Sequence, residues 1–249
     1  MSADSLSRVI VFARPDDPAD LRDVLQSALQ LNKIDAGLAV HHAPGILPRS
    51  WPSELAQSAA TAITQAGLRA VAVPAGDIPD FSQARHAHHI RCEATGLVVC
   101  DLSGQAKETL PWDRLRLLSI GRVPLDKQRH YVTDTITHAN PVPPDEYLQG
   151  DAIRGLEGWL LFDEPRQILH VDSEHQNYEY LGSRMTTSGP RNFDLLVADL
   201  AQLAQTAFVT PATRKYLTNG PVLDFDFTDS AALQEYTLVE YFLFRELQG

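Results

Sequence analysis

The hydrophobic period of this chain changes near residue 80, and that change most constrains what it can fold into. From Arg8 to Ala13, the residues Val9, Ile10, Val11 and Phe12 form a continuous apolar run of strand length. Asp17 then stands where a helix N-cap belongs, Pro18 takes the first helical position, and Asp20 lies near the positive end of the helix dipole. Leu21, Val24, Leu25, Ala28 and Leu29 follow at three- and four-residue steps, one face of an amphipathic helix. Asp35 to Leu47 leaves a short strand and a second helical turn both open, because Ala36, Leu38, Val40 and Ile46 suit either. Ser50, Pro52 and Glu54 open the next helix, which runs through Ala59 and Ile63 to a C-cap glycine, Gly67. Arg69 to Val73 reads as a strand, and Pro74-Ala75-Gly76-Asp77-Ile78-Pro79 is the expected linker.

Past the linker, short alternating runs dominate: His88 to Cys92, Gly96 to Asp101, Arg114 to Val123, Gly158 to Phe162 and Gln167 to Val171. This is the pattern of antiparallel sheet. A helix is expected from about Arg191, with Phe193, Leu196, Val197, Leu200 and Leu203 on one face, and a last one from about Ser230 to Leu247. Phe242, Phe244 and Leu247 make that terminal helix apolar enough to dock, on this chain or on a partner. Residues 126–154, with Pro141, Pro143 and Pro144, read as an irregular insertion. The expected fold class is α+β: a small α/β-sandwich-like domain over 1–80, then a mainly antiparallel-β domain with C-terminal helices over 81–249.

Thirty-two acidic against twenty-one basic residues give a formal charge of −11, which disfavours nucleic acid and anionic membrane surfaces as partners. No apolar run approaches the roughly 20 residues that span a bilayer, and Met1 to Ser7 lacks the regions of a signal peptide. A cytoplasmic protein without stable membrane association is therefore expected. Cys92 and Cys100 carry no zinc or Cys-x-x-Cys spacing and are expected as reduced, buried thiols.

Arg8 to Val73 resembles the C-terminal domain of the bacterial ribosomal stalk protein. The resemblance is carried by Ala43-Pro44-Gly45-Ile46-Leu47-Pro48-Arg49, the helix from Ser50, and Gln65-Ala66-Gly67-Leu68-Arg69-Ala70-Val71-Ala72-Val73. It implies a small α+β fold. It does not imply a ribosomal role, because that family meets translation factors through lysines and only Lys33 stands in this span. Ala87 to Ala204 resembles bacterial pleckstrin-homology-like domains, a bent antiparallel sheet closed by one helix, through Thr109-Leu110-Pro111-Trp112-Asp113-Arg114-Leu115 and a closing helix at Asn192 to Ala204. Together the halves resemble a family of bacterial proteins of unassigned activity, which implies an architecture rather than a reaction.

Three groups of residues bear candidate chemistry. His86, His88 and His89 are the densest histidine cluster; on a strand His86 and His88 share a face, the start of a metal site. His41-His42, or His170 with Asp172 and His175, are the available sources of a third ligand. Arg114, Arg116 and Arg122 can present a cationic sheet face to a lipid phosphate or acidic peptide, or simply be the solvent side of a half-buried strand. Asp224-Phe225-Asp226-Phe227-Thr228 matches the Asp-x-Asp-x-Thr of aspartate-nucleophile phosphohydrolases, but that signature needs a long α/β domain behind it. It reads instead as a solvated acidic lead-in to the last helix.

No Gly-rich phosphate loop, nucleophile elbow or His-Glu-x-x-His is present. The leading expectation is thus a non-catalytic interaction or adaptor protein that needs no cofactor, with a protein partner and an oligomeric state left open. Two alternatives stand beside it: a metal-dependent hydrolase using His86 and His88, and acidic-lipid or phosphopeptide recognition by the pleckstrin-homology-like sheet.

Overall fold

A computed structural model of the chain describes residues 6–125, 153–164 and 166–248. It divides into one unit of Met1–Phe81 with Glu235–Gly249 and a second of Ser82–Gln234. The expected insertion at 126–154 falls almost wholly on residues 126–152, outside the described residues. The chain is α+β, and among the described residues no helix is long and apolar enough to cross a membrane.

The apolar run at the start becomes β1 (Leu6–Val11), with Val9, Ile10 and Val11 fully buried. Helix α1 (Pro18–Leu29) follows, and the Asp17 carboxylate accepts from Ala19 N at 2.8 Å, the cap that the sequence implies. Leu21, Leu25 and Leu29 point into the core with Val9 and Val11. The ambiguous segment becomes both things in turn: α2 (Lys33–Val40), capped by Asn32, then β2 (Gly45–Ile46) antiparallel to β1. The expected helix start at Ser50 is displaced, because Trp51 is buried and pairs with Ser7 in β3 (Trp51–Pro52); α3 (Ser53–Gln65) begins after it. Ala56, Ala59 and Ala60 keep the buried face of α3 flat enough for close packing on this core. Gly67 adopts φ +89°, the left-handed conformation that closes a helix, and β4 (Ala70–Pro74) then pairs antiparallel along β1.

The second unit begins with β5 (Arg85–His86), followed by the antiparallel meander β6 (Ile90–Glu93), β7 (Gly96–Cys100) and β8 (Ala106–Pro111). The run after Trp112 becomes β9 (Leu115–Pro124), which pairs antiparallel with β10 (Arg154–Phe162), and β10 in turn with β11 (Gln167–Asp172). Helix α4 (Gly189–Leu203) is capped by Ser188 and presents Phe193, Leu196, Val197 and Leu200 to a core shared with Ile90, Leu97, Leu118, Leu160, Leu169 and Val171. Two short strands extend the larger sheet by parallel pairing: β12 (Phe208–Val209) beside β9, and β5 beside β11. Parallel edges were not legible in the alternating pattern.

Helix α5 (Pro211–Leu217) follows β12 and borders β9: Thr213 Oγ1 accepts from Ile120 N at 2.7 Å, satisfying a backbone donor of the strand. Asp224-Phe225-Asp226-Phe227-Thr228 is a solvated lead-in only at Asp224 and Thr228. Phe225 is buried edge-on against Tyr216, and Asp226 takes Arg154 at 2.8 Å and Arg122 at 3.6 Å, so the motif fastens this segment to the sheet. The last helix, α6 (Ser230–Gln248), starts where the sequence places it. Of its three docking residues Phe242 is buried and carries the Arg245 guanidinium over its ring at 5.8 Å, Phe244 has an interaction of its own, and Leu247 is exposed.

Gly96 tests this packing. A Cβ there would stand 2.5 Å from the backbone oxygen of Leu110, which no rotamer change relieves. Gly96→Ala is expected to cost about 1–3 kcal/mol in urea unfolding. Gly37→Ala, inside α2 with open space around its Cβ position, is expected to add about 0.5–1 kcal/mol instead.

Candidate functional site

One face of β11 feeds the core through Leu169 and Val171; strand alternation therefore puts Ile168, His170 and Asp172 on the other. The ladder with β10 sets Trp159 opposite His170 and Glu157 opposite Asp172, on that same face. The parallel pairing with β5 sets His86 beside His170, secured by Ala87 N donating to His170 O at 2.8 Å. Two sequence regions some eighty residues apart thereby meet in one patch.

Asp172 is its centre. Its Oδ2 accepts from His86 Nε2 at 2.7 Å. Its Oδ1 accepts from Glu174 N at 2.9 Å, from His175 N at 2.7 Å and from His175 Nδ1 at 2.8 Å. Burial by itself would raise this carboxyl, but the hydrogen bonds from His86 and from the backbone and ring of His175 outweigh it, and Asp172 is held well below the usual carboxylate range. It is an anion across the whole physiological range.

Because that carboxylate can only accept, His86 Nε2 carries a proton. His86 Nδ1 lies 2.8 Å from His88 Nε2, so in neutral His86 it accepts from His88. The result is a chain of imidazoles ending on a carboxylate, with His88 at its exposed end. On the other side, His170 Nε2 meets Glu157 Oε1 at 3.1 Å, and the His170 ring stacks on Trp159 with centroids 4.3 Å apart. Ligand atoms of His86, His170 and Asp172 all lie within 4.8 Å of one another, the spacing of a site able to close on one ion.

The structure therefore brings together His86 and His88 of the predicted cluster but not His89. The chain leaves the strand after His86, and the buried ring of His89 lies against the turn at Gly104. His41 and His42 belong to the first unit, where His42 faces Glu235 at 4.0 Å. Arg116 and Arg122 lie on β9 and Arg114 in the turn just before it, each with a carboxylate: Glu164 for Arg114, Asp163 at 2.9 Å for Arg116, and Asp226, shared with Arg154, at 3.6 Å for Arg122. Both cysteines are free, and burial pushes the Cys92 thiol up to about 12, which removes it as a nucleophile. Sequence reasoning missed Glu157 and Trp159; their signal was present only as the alternation of β10, with no register to aim it.

Comparison with protein-family models, with curated proteins and with solved structures finds no match for the chain.

A carboxyl held low in the fold stabilises it above the unfolded-state value of about 3.9, and that contribution is lost as pH falls toward the folded value. Wild-type protein in chelator is expected to unfold at lower urea at pH 3 than at pH 7. Asp172→Asn should narrow that difference and lower stability at pH 7 by about 1–3 kcal/mol.

Proposed function

We propose that the second unit is a metal-dependent hydrolase centre, with His86, His170 and Asp172 holding one divalent transition-metal ion. The observation that carries this reading is the convergence of those three ligand atoms within 4.8 Å on one sheet face. Two imidazoles and a carboxylate suit a borderline ion such as Zn2+ better than Mg2+ or Ca2+, which favour all-oxygen sets. An ion held by these three residues would supply Lewis-acid activation of a water. His88 meets His86 through Nε2 at 2.8 Å and faces the His175 carbonyl oxygen through Nδ1 at 3.4 Å, so its part would be to orient His86. Esters and phosphoesters are the substrates with which such a centre is probed. Ligation through His86 Nε2 would leave the proton of a neutral His86 on Nδ1, facing His88 Nε2.

A second reading keeps the two units as interaction modules, the second of them pleckstrin-homology-like, in a cytoplasmic setting that the free thiols suit. It is favoured by Ile34 and Leu38, one turn apart on α2 and 75% and 60% exposed. Recognition of acidic lipid or phosphopeptide by Arg114, Arg116 and Arg122 has less support, because each guanidinium is already paired.

Metal analysis of protein purified without a histidine tag tests the first reading. Wild type is expected to hold about one equivalent of divalent metal and to lose ester or phosphoester hydrolysis in chelator. His170→Ala and Asp172→Ala should weaken metal binding by more than the 10–100-fold typical of outer-shell losses. Wild type that takes up no more metal than the variants would overturn it.

A further inference from the structure

Glu157 is a costly residue in its place. Its cross-strand partner in the ladder is Asp172, so two carboxylates oppose each other on one sheet face, and their side chains are only 16% and 11% exposed. Like charges directly opposite destabilise a strand pair. Among the described residues, the ion pairs of these two carboxylates are all with imidazoles: His170 for Glu157, His86 and His175 for Asp172. Glu157 Oε2 is moreover buried and, among the described residues, without a hydrogen-bond partner, a desolvation cost that an apolar side chain at this half-buried position would avoid. What the residue does achieve is control of one ring. Its Oε1 meets His170 Nε2 at 3.1 Å while Trp159 stacks on the face of the same imidazole, so edge and plane are both held.

We infer that Glu157 is the positioning residue of the metal centre: it fixes His170 as the Nε2–H tautomer, which leaves Nδ1 as the nitrogen that ligates a Zn2+-class ion. The inference rests on the metal reading above. A carboxylate accepts and never donates, so the proton facing it stays on Nε2, and a neutral imidazole then has its lone pair on Nδ1. This is the carboxylate–imidazole–metal arrangement by which outer-shell groups orient ligands and raise their basicity. With an ion bound, the opposed carboxylates would gain a positive charge beside them. An amide in the same place would not enforce the tautomer, because it can turn either its oxygen or its NH2 to the ring.

The test is long-range 1H–15N NMR of the full chain with labelled histidines, metal stripped, followed by titration with Zn2+ against a competing chelator. His170 signals are assigned by their loss in His170→Gln. Wild type is expected to show His170 as Nε2–H alone. Glu157→Gln should populate Nδ1–H and weaken Zn2+ binding 10–100-fold, with an unchanged circular dichroism spectrum. An Nδ1–H tautomer in the wild type overturns the inference without any variant. Unaltered Zn2+ affinity in folded Glu157→Gln also overturns it. Wild type that takes up no Zn2+ while Glu157 still sets the tautomer overturns the metal reading, and with it the ligand role given to His170.

Discussion

The candidate site depends on a pairing of two residues. Arg85 and His86 lie parallel to Leu169 and His170, with Ala87 N bonded to His170 O, and this alone brings His86 to Asp172 across a separation of 86 positions. Side-chain direction in a strand has a period of two, so a slip of one residue would send His86 to the core and Ala87 to the open face. Ala87 is buried in the core of the second unit, which resists that slip because an imidazole there would lack a partner. The core thereby holds the site in register.

The same logic runs through β11. Leu169 and Val171 are fully buried against the helix Gly189–Leu203, while His170 and Asp172 alternate with them onto the opposite face. Burying each of those aliphatic side chains is worth about 1.5–3 kcal/mol. That apolar burial offsets the cost of gathering His86, His170, Glu157 and Asp172 away from water next door. The polar cluster is then held from below by a close-packed layer rather than by a loop, which is the condition for ligand geometry to be kept before any ion arrives.

Much of the local structure was legible because its cause is local. Asp17 and Pro18 announce the first helix and Gly67 ends the third, whereas His86 and His88 meet although β5 ends at His86, so strand alternation is not what joins them. The Asp35 to Leu47 segment stayed ambiguous because helix and strand both occur in it. What was hidden was non-local. No pattern within β10 says that Glu157 faces Asp172, no pattern near Phe208 says that it lies parallel to Leu117, and nothing in the last helix says that Glu235–Gly249 groups with the first unit. His89 was grouped with its neighbours by proximity in sequence, which fails where the chain leaves a strand between them. Whether the three arginines form a free cationic face or the solvent side of a strand stayed open in the sequence because their carboxylate partners stand far away, at Asp163, Glu164 and Asp226.

The central claim is that two imidazoles and one carboxylate of this sheet close on a single ion. X-ray absorption at the zinc edge, on full-length protein carrying one equivalent of Zn2+, addresses it most directly. The account predicts a four-coordinate shell of nitrogen and oxygen at about 2.0–2.2 Å with the multiple scattering of two imidazoles. A shell of oxygens alone, without imidazole scattering, would contradict it.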